Sequence, residues 1–230
     1  MISVSGKHWE EINVNERLIE KIKSELNISK LIAKLIIYRN FDETEIYTIK
    51  NDVNLLNPFL NNYDYKECFK TLEEVIVNNG KIQIIGDYDV DGIVSTSLFI
   101  KFFQFIKYPY AFYIPDRVQD GYGASLKIVK KLIKNKPDLV IMLDCGSNSH
   151  DAIKHLNKNN IKTIIIDHHE IFKPYPKTKN IINPKKECLY SNYDYFCSAT
   201  LTYFFIDYFF KNIIFCYVKV IKNFFCNNSI

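Results

Sequence analysis

Three aspartates stand on alternate positions in the string GDYDVDG: Asp87, Asp89 and Asp91. Carboxylates this close repel one another unless a cation lies between them, and hard divalent cations take clustered oxygen ligands. A calcium-binding loop begins in the same way, but it needs a Glu six residues past its Gly, where this chain has Leu98. The plainer alternative is an acidic turn whose aspartates cap the next helix and favour its positive end. Further along, LDCG carries Asp144, and IIIDHHE carries Asp167, His168 and His169. Several carboxylates mixed with imidazole suit Mn2+ or Mg2+, with Mn2+ favoured by the histidines, and the number of ligands fits two ions. Such ions polarise a phosphate and generate hydroxide from bound water without a protein nucleophile. The chemistry implied is hydrolysis of a phosphoester or phosphoanhydride.

These residues work together only if the fold brings them to one place. Each follows a short apolar run: Ile82–Ile85 precedes Asp87, Leu139–Leu143 precedes Asp144, and Lys162–Ile166 precedes Asp167. Helical patterns lie between the runs, at Ile93–Phe105, Leu126–Ile133 and Ser149–Asn157, with a further strand at Tyr110–Ile114. Strands alternating with helices predict an α/β fold with a doubly wound, mainly parallel sheet. Ligands of such sheets gather at the carboxyl ends of the strands, so all three strand ends face one crevice. Before the sheet, Val14–Leu26 and Ser29–Tyr38 place Leu18, Ile22, Leu26, Leu31 and Leu35 at helical spacing, with Ser29 as an N-cap. The Asn-rich stretch NDVNLLNPFLNNYD then marks a boundary, and a helix over Cys68–Val77 leads to the first strand.

Composition permits this reading and narrows it. The 230 residues are 47% hydrophobic, enough for a substantial core, and the net charge of +4 neither requires nor excludes nucleic acid. Six cysteines without a CxxC pair argue against a zinc site and a disulfide framework, and fit a reducing cytoplasm. Lys7, His8 and Glu10 leave no apolar core for a signal peptide. The apolar stretch Leu201–Ile221 is interrupted by Asp207, Lys211, Asn212 and Lys219, so no membrane span is expected.

Together, GDYDVDG, LDCG and IIIDHHE resemble the first three motifs of the DHH phosphoesterases. The longer string GDYDVDGIVSTS, the segment IPDRVQDGYG at Ile114–Gly123, the INP of Ile182–Pro184 and the lead-in NLLNPFL are similar to the RecJ-like exonucleases of that superfamily. The resemblance implies 5′ to 3′ hydrolysis of single-stranded DNA, with release of mononucleotides, in repair and recombination. It implies Asp87, Asp89, Asp91, Asp144 and His168 as the metal site, His169 facing the scissile phosphate, and Asp167 orienting a neighbouring imidazole. In IPDRVQDGYG, Arg117 is suited to pairing a phosphate, Tyr122 to stacking on a base, and Gly121 and Gly123 to letting the loop approach a strand closely.

Other polar residues are left outside the expected site. Lys127, Lys130, Lys131, Lys134 and Lys136 read as a solvated helix face, His150 and His155 as surface or packing residues, and Cys145 as a packing residue. The expected organisation is a helical extension over residues 1–65, a catalytic DHH region over 66–196 and an aberrant, aromatic-rich helical tail over 197–230. In that tail Thr200 and Leu201 replace the family's small Gly and Val, and the family's further ligand Asp and its DHHA1 domain have no counterpart. The expectation is a truncated chain of low or absent activity. Two alternatives stand beside it: a small-phosphate DHH hydrolase, such as a nanoRNase, cyclic-dinucleotide phosphodiesterase or pyrophosphatase, and a non-catalytic remnant.

Overall fold

A computed structural model of the chain describes residues 4–8, 13–50, 55–186 and 192–226, except for the side chains of residue 50 and residues 213–226. The chain divides into two compact units, Met1–Leu56 and Asn57–Ile230.

In the first unit, α1 (Glu16–Leu26) starts where the Asn15 side chain accepts from the Arg17 amide, and ends at Asn27 in the left-handed region. Helix α2 (Lys30–Tyr38) has Ser29 as its cap, and α3 (Glu43–Lys50) follows. The buried side chains of α1 and α2 are Ile19, Ala33 and Ile36. Leu18, Leu31 and Leu35 are instead exposed, while Ile22 and Leu26 are half-buried, so the face expected from leucine spacing is only partly the buried one. A short helix with apolar residues on neighbouring stripes can bury either one, and packing decides.

The second unit opens with α4 (Tyr63–Val77), capped by Asn62, and continues into β1 (Ile82–Gly86), α5 (Val90–Phe105) and β2 (Tyr110–Tyr113). It then runs through α6 (Leu126–Leu132), β3 (Leu139–Leu143), α7 (His150–Lys158), β4 (Lys162–Ile166), β5 (Ile181–Ile182) and α8 (Ser198–Cys226). All five strands are parallel, in the order β2-β1-β3-β4-β5. The chain leaves β1 for the edge strand β2 and then returns past β1 to β3. The order therefore reverses between β1 and β3, where open α/β sheets leave a crevice for ligands.

Strand residues alternate between two cores. Ile82, Ile84, Leu139, Ile141, Leu143, Ile164 and Ile166 pack with Phe99, Phe103, Leu72 and Phe205, from α5, α4 and α8. Ile85, Val140, Met142 and Ile165 pack on the other face with Ile128, Val129, Ile153 and Leu156, from α6 and α7. Burial on both faces explains why β3 is apolar at every position.

The single division into compact units lies between Leu56 and Asn57. Asn57 donates to the Phe204 carbonyl and to Asp207 Oδ2, both at 2.8 Å, and Phe59 stacks on Tyr65, which ties this lead-in to the second unit. The segment after Cys197 is no appendage up to Phe209, because Leu201, Phe204, Phe205, Tyr208 and Phe209 are buried in the larger core. Burying one such ring stabilises by about 2–3 kcal/mol. No helix among the described residues is long and apolar enough to cross a membrane.

Candidate metal centre

Strand register assembles the site. Gly86 pairs with Leu143, Leu143 with Ile166, and Ile166 with Ile182. The next residues, Asp87, Asp144, Asp167 and Asn183, therefore stand in one row across the carboxyl ends of four strands. All four are buried. Asp89 caps α5 by accepting from the Gly92 amide at 3.0 Å. Gly92 is required there, since a Cβ would lie 2.6 Å from the Asp87 carbonyl oxygen. This close approach of α5 to the end of β1 turns Asp89 and Asp91 toward the crevice.

Two groups of ligand atoms result, and they share Asp144. Asp87, Asp89 and Asp144 form one; Asp144, His168 and His169 form the other, with the atoms of each group within 4.8 Å of one another. Asp91 adjoins the second group, because His168 Nε2 lies 3.5 Å from Asp91 Oδ2 and 3.4 Å from Asp144 Oδ1. Burial pushes the Asp144 carboxyl up to about 8, with the Asp91 charge adding to it. Burial also raises Asp87, whereas the Gly92 amide holds Asp89 low. Asp87 Oδ1 and Asp144 Oδ2 are buried without any hydrogen-bond partner. Buried carboxylate oxygens lacking donors are costly, and a divalent cation between them offsets that cost.

The DHH triplet itself splits into distinct tasks. Asp167 is buried, which alone would raise its carboxyl, but hydrogen bonds from the His169 ring and the Ser147 amide outweigh burial and hold it at about 2. Its Oδ1 lies 2.8 Å from His169 Nδ1 and accepts from the His168 amide, while Oδ2 accepts from Ser147. The Asp167 hydrogen bond raises the His169 imidazole, whose side chain remains 41% exposed. His169 thus presents a ring with a fixed orientation to the crevice. Asn183 locks this turn from below, donating to Ser147 Oγ at 2.7 Å and to the His169 carbonyl at 2.9 Å.

The IPDRVQDGYG loop meets the same crevice through Tyr122. Its hydroxyl lies 3.0 Å from His169 Nε2 and donates to the Asp144 carbonyl at 3.2 Å. Gly121 and Gly123 both have positive φ, and this turn carries Tyr122 inward. Arg117 does not reach the carboxylates: its guanidinium lies 5.5 Å from the centre of the Tyr88 ring, which in turn packs edge-on against Tyr122. The four side chains Arg117, Tyr88, Tyr122 and His169 make a continuous row from solvent to the acidic cluster. A cleft of about 330 Å³ adjoins it, lined by Tyr122, Asp167, His169 and the starts of α6 and α7. Cys145 is buried with its Sγ toward the Ile85 carbonyl, and burial pushes its thiol up, away from a ligating thiolate.

Tyr88, Ser147, Asn183 and Ser198 take part without having been singled out for it. Tyr88 stands between two of the aspartates and Asn183 within the INP string, so both lie inside recognised motifs. Ser147 and Ser198 carry no signal of their own, since their partners lie 20 or more residues away.

The model of the DHH family, N-terminal domain, matches residues 81–222, more than half of the chain. The chain belongs to the DHH family. Single-stranded-DNA-specific exonuclease RecJ of Bacillus subtilis (strain 168) is 30% identical over 190 residues, covering 81% of this chain and 24% of the relative. RecJ of Escherichia coli (strain K12) is 32% identical over 110 residues, covering 47% of this chain and 19% of the relative. This DHH chain thus spans about a quarter or less of the length of these relatives. A crystal structure of exonuclease RecJ bound to manganese shares the fold with a TM-score of 0.58 at 24% identity, covering 65% of this chain and 38% of that one. The structure of RecJ in complex with Mn2+ from Thermus thermophilus gives a TM-score of 0.56 at 20% identity, covering 87% of this chain and 28% of that one.

Proposed function

We propose that this chain is the ion-binding catalytic part of a RecJ-like phosphodiesterase that removes mononucleotides from the 5′ end of single-stranded DNA. The observation that carries the reading is the pair of unpartnered buried oxygens, Asp87 Oδ1 and Asp144 Oδ2, in two ligand groups that share Asp144. The donor set of carboxylate oxygens and imidazole nitrogens fits Mn2+ or Mg2+, and shared Asp144 fits two ions. Asp87, Asp89 and Asp144 would hold one ion, and Asp91, Asp144 and His168 the other. A pair of ions held there would supply polarisation of a phosphate and activation of water.

The chain's own residues supply binding and orientation. Asp167 fixes the His169 ring and favours its protonated form, so the imidazolium can pair with a phosphate oxygen. Tyr122, 52% exposed, offers a ring for stacking beside it. Arg117, over the Tyr88 ring, offers a charged fork farther out for a terminal phosphate. Support comes from the RecJ names of the relatives and from Mn2+ in the similar structures. A DNA substrate and scattered cysteines fit the cytoplasm.

The test is digestion of a 5′-labelled, 5′-phosphorylated oligothymidylate with Mn2+, beside the same strand in a duplex and a short diribonucleotide. The reading expects labelled mononucleotide from the single strand and none with Asp89→Asn. Hydrolysis of the diribonucleotide alone would favour the small-phosphate alternative. Mn2+ binding without turnover of any substrate would favour the non-catalytic one.

A further inference from the structure

Helix α8 enters the acidic cluster with its first turn. The Ser198 amide donates to Asp91 Oδ2 at 2.7 Å, the Ala199 amide to Asp91 Oδ1 at 2.8 Å, and the Ser198 hydroxyl to Asp144 Oδ1 at 2.9 Å. Ser198 is fully buried. Nothing in the chemistry above uses its hydroxyl.

We propose that Ser198 is a positioning residue of the metal centre, acting through Asp144, the carboxylate shared by both ligand groups. The proposal rests on the reading of this cluster as a divalent-ion site. Asp91 and α8 hold each other: both oxygens of Asp91 accept amides from the helix start, which sets the height at which Ser198 sits. From that fixed point the hydroxyl donates to Oδ1 of Asp144 and leaves Oδ2 without a donor. A neutral donor suits this place. A lysine or arginine would compete with a cation for the same oxygens, whereas a hydroxyl occupies one lone pair and fixes the plane of the carboxylate. An unpinned Asp144 could rotate its oxygens out of the shared position, which would weaken both ligand groups together. Hydrogen bonds to ligating carboxylates act in this way elsewhere, and their removal typically costs about 10- to 100-fold in metal affinity.

The experiment measures Mn2+ binding to the full chain by the loss of the free-ion paramagnetic signal, with urea unfolding in chelator alongside. Ser198→Ala should weaken binding by about 10-fold or more. Ser198→Thr, which keeps the hydroxyl, should restore most of it. Thr202→Val is the control: Thr202 is fully buried one turn along α8, with its hydroxyl unpartnered, so its loss should leave Mn2+ affinity unchanged. Unchanged Mn2+ affinity in Ser198→Ala would overturn the proposal, as would equal weakening by Thr202→Val, which would mean that any disturbance of α8 suffices. Failure of the unaltered chain to bind Mn2+ would instead overturn the ion-site reading itself.

Discussion

Replacing Asp144 by Asn should make the metal-free chain more stable while removing its response to Mn2+. In the folded chain the Asp144 carboxyl is pushed up to about 8 from an ordinary 3.8, first by burial and then by Asp91. At pH 7 the unfolded chain has released this proton and the folded chain must take it up, at about 1.4 kcal/mol per pH unit above the ordinary value, or about 4 kcal/mol. Because the folded value is raised, the associated stability is fully present below 3.8 and is lost as pH rises through about 8. Asn has the same shape, keeps an oxygen for the Ser198 hydroxyl and carries no charge. The expected gain at pH 7 in chelator is about 2–4 kcal/mol, on the order of 5–10 °C in melting temperature for a domain of this size. Melts followed by circular dichroism at pH 4 and pH 7 check it: the gain should be present at pH 7 and nearly absent at pH 4. Added Mn2+ should raise the melting temperature of the unaltered chain and not that of the variant. A variant less stable than its parent at pH 7 in chelator, or equally stabilised at both pH values, would refute the electrostatic reasoning.

Asp167 should behave in the opposite sense. Its carboxyl is held at about 2, so its contribution, about 2 kcal/mol, is present above 3.8 and lost as pH falls through about 2. Asp167→Asn should therefore lower stability at pH 7 and flatten the acid limb of a urea-midpoint profile; equal midpoints at pH 7 would count against the His169 and Ser147 hydrogen bonds. Gly92→Ala should cost about 1–3 kcal/mol by forcing a methyl group onto the Asp87 backbone. The same substitution should weaken Mn2+ binding in a titration, since it displaces the start of α5 from the cluster. Phe205→Ala, deep in the larger core and distant in sequence from the motifs, should cost about 3–5 kcal/mol in urea denaturation. A loss below about 1 kcal/mol would place α8 outside the cooperative core.

Much of this structure is legible in local pattern. Four strands are marked by apolar runs, and the ends of three by Asp144, Asp167 and the GDYDVDG turn. Parallel topology alone then places these residues in one crevice. The remainder depends on information that no local window contains. Strand β5 has only two residues, Ile181 and Ile182, too few for a periodicity. Helix α3 has little separation of apolar from polar residues. In α1 and α2 the leucines carry the helical spacing, yet Ile19, Ala33 and Ile36 fill the core, because the fit between the two helices selects the stripe. The segment after Cys197 is so dense in Phe and Tyr that it reads as a foreign tail, although Asp207 and Lys211 pair on its outer face. Such aromatic density is also what a core requires, and here Phe205 and Phe209 occupy it.

The row formed by Asp87, Asp144, Asp167 and Asn183 has a consequence for the order of events in the life of the chain. A calcium loop gathers its ligands within a dozen consecutive residues. Here the candidate ligands stand at the ends of separate strands, from Asp87 to His169, and their full arrangement needs β1, β3 and β4 paired in register. The acidic turn by itself offers an ion three mutually repelling side chains and no imidazole. An ion held by the whole set would therefore be captured after the sheet has closed, as a seal on a finished fold and not as the template for it.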